Sequence, residues 1–217
     1  MNKEIIIDST RQHIQQLLSG EGSGHDWWHI VRVTNTALTI AELENADLFV
    51  VELAALLHDI ADWKFNAGDD NAGPKAARKW LESQVVPEKI IKHVCHIIKD
   101  LSFKGAGVQS AMKTVEGMVV QDADRLDAVG AIGIARTFAY GGHTGREMCN
   151  PTIKPVDHAS FDSYKKGDGP TINHFYEKLL LLKDRMNTSA AKEIAEGRHV
   201  YMEQFLERFY KEWEGEA

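Results

Sequence analysis

His58 and Asp59 stand side by side at the end of an apolar run, AALLHDIADWKF (54–65), with Asp62 close behind. An aspartate is seldom fully buried without a partner, and an unpaired charge in a core is costly. Either this stretch ends at the surface or a cation sits among these side chains. On a helix, neighbours point about 100° apart, so His58 and Asp59 reach one cation only at the helix edge, and Asp62 overhangs the same place. Three further clusters carry the same residue types. In GHDWWHIVRV (24–33), His25 and His29 are four residues apart and share a helix face, a spacing at which two imidazoles chelate one metal. The alternative is a half-buried histidine hydrogen-bonded beside Trp27 and Trp28. In VVQDADRLDAVGAIGIARTF (119–138), the acids Asp122, Asp124 and Asp127 fall between apolar runs with Arg125 among them. The alternative there is a helix break whose solvated acids Arg125 and Arg136 neutralise. In KHVCHIIKDLSFKG (92–105), His93 and His96 are three apart and Lys99 and Lys104 follow. That histidine pair also suits the surface of an amphipathic helix.

The elements that must position these residues are helical, because apolar residues recur with the helical period and alternation of period two is scarce. Helices are predicted over residues 4–19, 26–43, 46–61, 72–84, 87–100, 110–122, 171–186 and 189–213. Residues 124–140 continue the sixth helix or start another. SGEGSG stops the first helix, Asp47 lies near the start of the third, and Pro87 opens the fifth, where proline is tolerated. The last two stretches read as long amphipathic helices. Residues 141–170 are rich in Gly, Pro and polar residues, and an irregular connection of that length is usually functional or mobile. It is read as a lid or a surface loop. Its His143, Arg146, Lys154, Lys165 and Lys166 suit a polyanion.

The chain of 217 residues suits one domain, and 43% hydrophobic with 26% charged residues is the profile of an ordinary globular protein. A net charge of −7 argues against a duplex nucleic-acid partner. A small anionic substrate is still allowed, because a bound metal and a few local cations overcome a negative average. The two cysteines, Cys95 and Cys149, make no disulfide framework, so reduced thiols and a cytoplasmic location are expected. No stretch reads as a signal peptide or a membrane span, and no membrane partner is expected.

The order His29, then His58–Asp59, then Asp124, each on its own helix, resembles the HD-domain superfamily of metal-dependent phosphohydrolases. GHDWWH, LLHDIADWKF and QDADRLDAVGAIGIARTF carry the likeness to small bacterial HD-domain hydrolases, across about residues 20–165. The resemblance implies a single all-α HD-domain helical bundle, with a motif core over about 20–140 and C-terminal helices over 171–217. It implies that His29, His58, Asp59 and Asp124 ligate one divalent metal. Mixed imidazole and carboxylate donors suit Mn first, with Ni, Co, Fe, Zn or Mg as alternatives. Asp62 is the candidate to orient or deprotonate water, or else to support a ligand histidine. Lys64, Arg125, His93, His96, Lys104 and His25 are the candidate substrate contacts, and Asp127 is read as a structural partner. The activity implied is hydrolysis of (deoxy)nucleoside triphosphates to monophosphate and pyrophosphate. The alternatives are a 5′-nucleotidase, a phosphodiesterase, a two-metal oxygenase-type protein and a non-catalytic nucleotide or metal sensor. The expected partner is a small phosphorylated nucleotide. The C-terminal amphipathic helix packs on its own core or serves a homodimer.

Overall fold

The computed structural model describes residues 1–18, 26–61, 71–101, 112–156 and 169–216, and every regular element among them is helical. His25, Asp62, Lys64 and Lys104 lie outside the described residues, as do Lys165 and Lys166. In order the helices are α1 (Lys3–Leu17), α2 (Trp27–Leu43), α3 (Leu48–Leu57), α4 (Ala72–Ser83), α5 (Glu88–Leu101), α6 (Val115–Asp127), α7 (Gly130–His143), α8 (Asn173–Glu177) and α9 (Ser189–Trp213). The chain divides into two compact units. Described residues up to 123 form the first and those from 124 onward the second. None of the helices among the described residues is long and apolar enough to cross a membrane.

The first unit is built around α3, which packs against α1, α2 and α5. All of its residues except Leu48 and Glu52 are buried, which is why its sequence is apolar on every side. Asp47 caps it by accepting from the Phe49 and Val50 amides at 3.0 and 3.3 Å. Glu52, its one charged residue, takes a 2.8 Å hydrogen bond from Arg11 of α1. Only a short connection joins α2 to α3, so the start of α2 and the end of α3 meet. The apolar run predicted a third helix as far as residue 61. It ends instead at Leu57, where the His58 imidazole turns back onto the Ala55 carbonyl at 2.7 Å and the 60 N–H bonds only three residues back, to Leu57. A last-turn carbonyl has no helical donor of its own, and the imidazole supplies one.

In the same unit His13 of α1 stacks on Trp80 of α4, with ring centroids 3.9 Å apart and planes 5° from parallel. Trp80 also donates to the Thr10 hydroxyl at 2.9 Å. Burial pushes the His13 imidazole below its ordinary value of 6.5, so the folded chain binds this proton less readily than the unfolded one. The stability it contributes is therefore present above pH 6.5 and is lost as the pH falls through its depressed folded-state value. Replacing His13 by Gln is expected to flatten the fall in unfolding midpoint below that pH, measured by thermal melts of both proteins between neutral and mildly acidic buffers.

The second unit pairs α7 with α9. Its centre holds Phe175, Leu179, Leu182, Ala191, Ala195, Met202 and Leu206, all buried. Phe138, Phe175, Phe205 and Phe209 form a cluster with centroids 5.8 to 6.4 Å apart, within the range of favourable aromatic pairs. The helix carrying Asp124 runs on through Asp127 and then breaks. Val129 is extended and Gly130 takes a φ of +75°, a left-handed conformation that glycine adopts without strain, and α7 starts there.

Two predicted boundaries in this unit are corrected. Residues 171–186 do not form one long helix. The chain makes the short α8, breaks at Lys178 (φ −145°, ψ −55°) and continues as two 3₁₀ turns, Leu179–Leu181 and Lys183–Arg185. Leu179 and Leu182, three residues apart, are both buried, and a repeat of three suits the 3₁₀ period. Residues 141–143 are not irregular but complete α7. From there the described part of the predicted loop folds back on the start of α8. Glu147 and Met148 accept from the Thr171 and Ile172 amides at 2.8 and 3.0 Å, and the Asn173 side chain donates to the Ile153 carbonyl at 3.0 Å.

Candidate metal centre

The start of α2 and the end of α3 bring three predicted ligands together. His29 sits in the first turn of α2, whose entry Asp26 caps by accepting from the His29 amide at 2.9 Å. His58 follows the last residue of α3, and Asp59 lies one residue further, off the helix. His29 Nε2 and His58 Nε2 are 3.2 Å apart, and Asp59 Oδ2 lies 3.6 Å from the first and 3.5 Å from the second. The side chains are 1%, 4% and 15% exposed, respectively.

The hydrogen bonding shows what this triangle suits. With a carbonyl oxygen 2.7 Å away, His58 Nδ1 carries a proton and donates a hydrogen bond to Ala55, which leaves Nε2 as the ring nitrogen that faces His29 and Asp59. Two imidazole nitrogens and a carboxylate oxygen then converge with little water access. Atoms held about 2.0–2.2 Å from a common ion, at angles between octahedral and tetrahedral, lie about 2.8–3.6 Å apart. The three observed separations of 3.2, 3.5 and 3.6 Å fit that requirement. Among the described residues, these three form the group of His, Cys, Asp and Glu side chains close enough to hold an ion.

The other predicted site residues are placed as follows. Asp124 is half-buried on α6, in the second unit. Arg125, beside it, donates to the Arg185 carbonyl. Asp127 is a structural partner: its Oδ2 is 2.6 Å from Arg136 Nη1. His93 joins α5 to the start of α6, with Nε2 3.0 Å from the Thr114 hydroxyl and 3.7 Å from the Glu116 carboxylate. His96 is exposed on the same helix. Of the two tryptophans ahead of His29, Trp27 is half-buried and Trp28 is 63% exposed. Both cysteines are free thiols, and burial pushes each above its ordinary range. The sequence reading missed Asp26, although an aspartate three residues ahead of His29 at a helix start is the pattern of a cap.

The HD domain family model matches residues 27–129. YpgQ of Bacillus subtilis is 38% identical over 217 residues, spanning 96% of this chain and 94% of YpgQ. A crystal structure of a HD-superfamily hydrolase from Bacillus thuringiensis is 48% identical with a TM-score of 0.78, covering 98% of this chain and 99% of that one. The crystal structure of Bacillus subtilis YpgQ in complex with ADP is 36% identical with a TM-score of 0.77, covering 98% and 97%. The chain thus belongs to the HD domain family, among the HD-superfamily hydrolases.

Proposed function

We propose that this chain is a divalent-metal-dependent phosphohydrolase that cleaves (deoxy)nucleoside triphosphates to monophosphate and pyrophosphate. The observation that carries the reading is the convergence of His29 Nε2, His58 Nε2 and Asp59 Oδ2 within 3.6 Å of one another. Asp124 is the proposed fourth ligand, and Mn is the proposed ion because the donors mix imidazole and carboxylate. An ion bound there lowers the pKa of water and polarises a phosphoryl oxygen. The nucleotide part of the reading is supported by the relative YpgQ, which has been crystallised with ADP.

The chain's own residues are assigned the remaining work. His58 keeps a proton on Nδ1, hydrogen-bonded to the Ala55 carbonyl, and so would present Nε2 to the ion. The low exposure of His29 and His58 limits bulk water at the centre, which strengthens electrostatic interactions there. Asp62 is assigned the proton of the attacking water. The water oxygen bonds the α-phosphorus as the bond from that phosphorus to the α–β bridging oxygen breaks. Pyrophosphate leaves with the electron pair, and the proton passes through Asp62 to solvent. Arg125, Lys64, Lys104, His93, His96 and His25 are the proposed contacts to phosphate oxygens and substrate, and the exposed Trp28 is a proposed platform for a base.

The test is product identification. Metal-stripped protein is incubated with Mn and a panel of nucleoside mono-, di- and triphosphates, and the products are separated by chromatography. Monophosphate plus pyrophosphate from triphosphates, in the presence of Mn alone, is the expected result. Inorganic phosphate released from monophosphates makes the chain a nucleotidase, and no turnover of any nucleotide overturns the reading.

A further inference from the structure

Each of the two histidines of the candidate metal centre has an anchor in the chain around it. His58 is oriented through its ring, by the bond from Nδ1 to the Ala55 carbonyl. The backbone of His29 is held as well. The Asp26 carboxylate accepts from the His29 amide at 2.9 Å, and the Asp26 carbonyl lies 3.1 Å from the same nitrogen. His29 is the third residue of α2, and amides in a first turn have no carbonyl four residues back within the helix. The capped amide is thus the one belonging to the ligand itself. Only two side-chain torsions separate that backbone from Nε2, so a shift of the first turn moves the donor atom directly. Donor atoms must be held to within about 0.5 Å for a productive site.

We infer that Asp26 is a positioning residue for the metal centre. It sets His29 by hydrogen-bonding its amide, and its charge is not what the ion needs from it. The inference rests on the metal-binding part of the proposed function. Asparagine caps a helix as well as aspartate does, whereas alanine does not. That difference separates a geometric role from a charge effect.

The experiment titrates Mn into the metal-stripped full chain and reads the free ion by electron paramagnetic resonance, with thermal melts of each apo protein alongside. Five proteins are compared: wild type, Asp26→Ala, Asp26→Asn, Asp26→Ser and Asn2→Ala. Asn2 caps α1 by accepting from the Ile5 amide at 3.3 Å and serves as a cap with no ligand in its turn. Asp26→Ala is expected to weaken Mn binding about tenfold, the scale seen when a partner that orients a ligand is removed. Asp26→Asn and Asp26→Ser are expected to stay within about twofold of wild type, because both side chains still cap. Asn2→Ala is expected to bind as wild type. Unchanged binding by Asp26→Ala overturns the inference. So does an Asp26→Asn protein as weak as the alanine variant, which would make the effect one of charge. Equal weakening by Asn2→Ala overturns it as a general loss of helix stability. Should Asp26→Ala fail to fold, the two capping variants still decide between charge and geometry. A wild-type chain that holds no Mn overturns the metal reading itself, an outcome distinct from all of these.

Discussion

Asp59→Ala is expected to lose Mn binding and hydrolysis together while the apo chain stays folded. Asp59 Oδ2 is the carboxylate corner of a triangle whose other corners, 3.5 and 3.6 Å away, are imidazole nitrogens. Removing a residue that merely orients a ligand costs about 10–100-fold in metal affinity, so removing a ligand is expected to exceed about 100-fold. Asp59 lies beyond the last residue of α3 and so carries none of that helix's packing. A site that gathers donor atoms for an ion is not optimised for the apo protein, and losing one donor leaves apo stability equal or slightly higher. Thermal melts with and without Mn check both halves. Wild type is expected to gain about 2.7 kcal/mol when the free ion is at 100 times its dissociation constant. Asp59→Ala is expected to melt where apo wild type melts and to gain nothing. A variant that keeps the full metal-induced shift would place the ion elsewhere in the chain.

What the sequence made legible follows from how local each signal is. The ends of α2 and α9 were predicted to within a residue from apolar periodicity, and the structure shows what fixes each start: Asp26 accepts from the His29 amide at 2.9 Å and Thr188 from the Ala191 amide at 3.3 Å. The end of α3 was not legible, because apolar periodicity runs through residue 61 while the helix is stopped by a side chain, His58, bonding to its own last turn. Residues 171–186 misled for a related reason. Phe175, Leu179, Leu182 and Met186 are spaced as on one α-helix and are all buried, yet a helix broken at Lys178 and followed by 3₁₀ turns buries the same four. Periodicity reports which residues face a core, and several backbone paths satisfy that demand.

The candidate metal centre shows the same division. Each of His29, His58 and Asp59 was a candidate from residue type alone, but His58–Asp59 as a dipeptide says nothing about a third ligand on another helix. That information lies in the short connection between α2 and α3 and in the apolar faces that pack them together. It reached the sequence reading only through the resemblance to a family with this order of motifs. The geometry adds what holds the proposed ligands, the Asp26 cap and the Ala55 carbonyl. Backbone acceptors have no residue type to betray them, and a cap is visible only once the helix start is known.

Asp127→Ala is expected to do the reverse of Asp59→Ala: cost stability and spare metal binding. The two acids look alike in sequence, each an aspartate beside an apolar run. Asp127, however, ends α6 as a buried carboxylate, with Oδ2 2.6 Å from Arg136 Nη1, and the Asp127 carbonyl takes a second bond from the same nitrogen at 3.2 Å. Arg198 of α9 lies close by and donates to the Leu126 carbonyl at 2.5 Å. Burial pushes the Arg198 guanidinium below its ordinary range, and the Asp127 carboxylate opposes that shift. Alanine at 127 leaves two half-buried guanidinium groups without the carboxylate that offsets the cost of burying them. Breaking a fully buried ion pair costs about 3–5 kcal/mol. Arg136 is 27% exposed and water screens part of that loss, so the expected cost is about 2–3 kcal/mol. Urea unfolding should show a lower midpoint with an unchanged slope. Below the unfolding transition, Asp127→Ala should bind Mn as wild type does. Adding Arg136→Met to this variant should recover part of the loss, since an apolar side chain needs no counter-charge there. An Asp127→Ala chain that is fully stable but has lost its metal would make Asp127 a ligand and overturn its structural role.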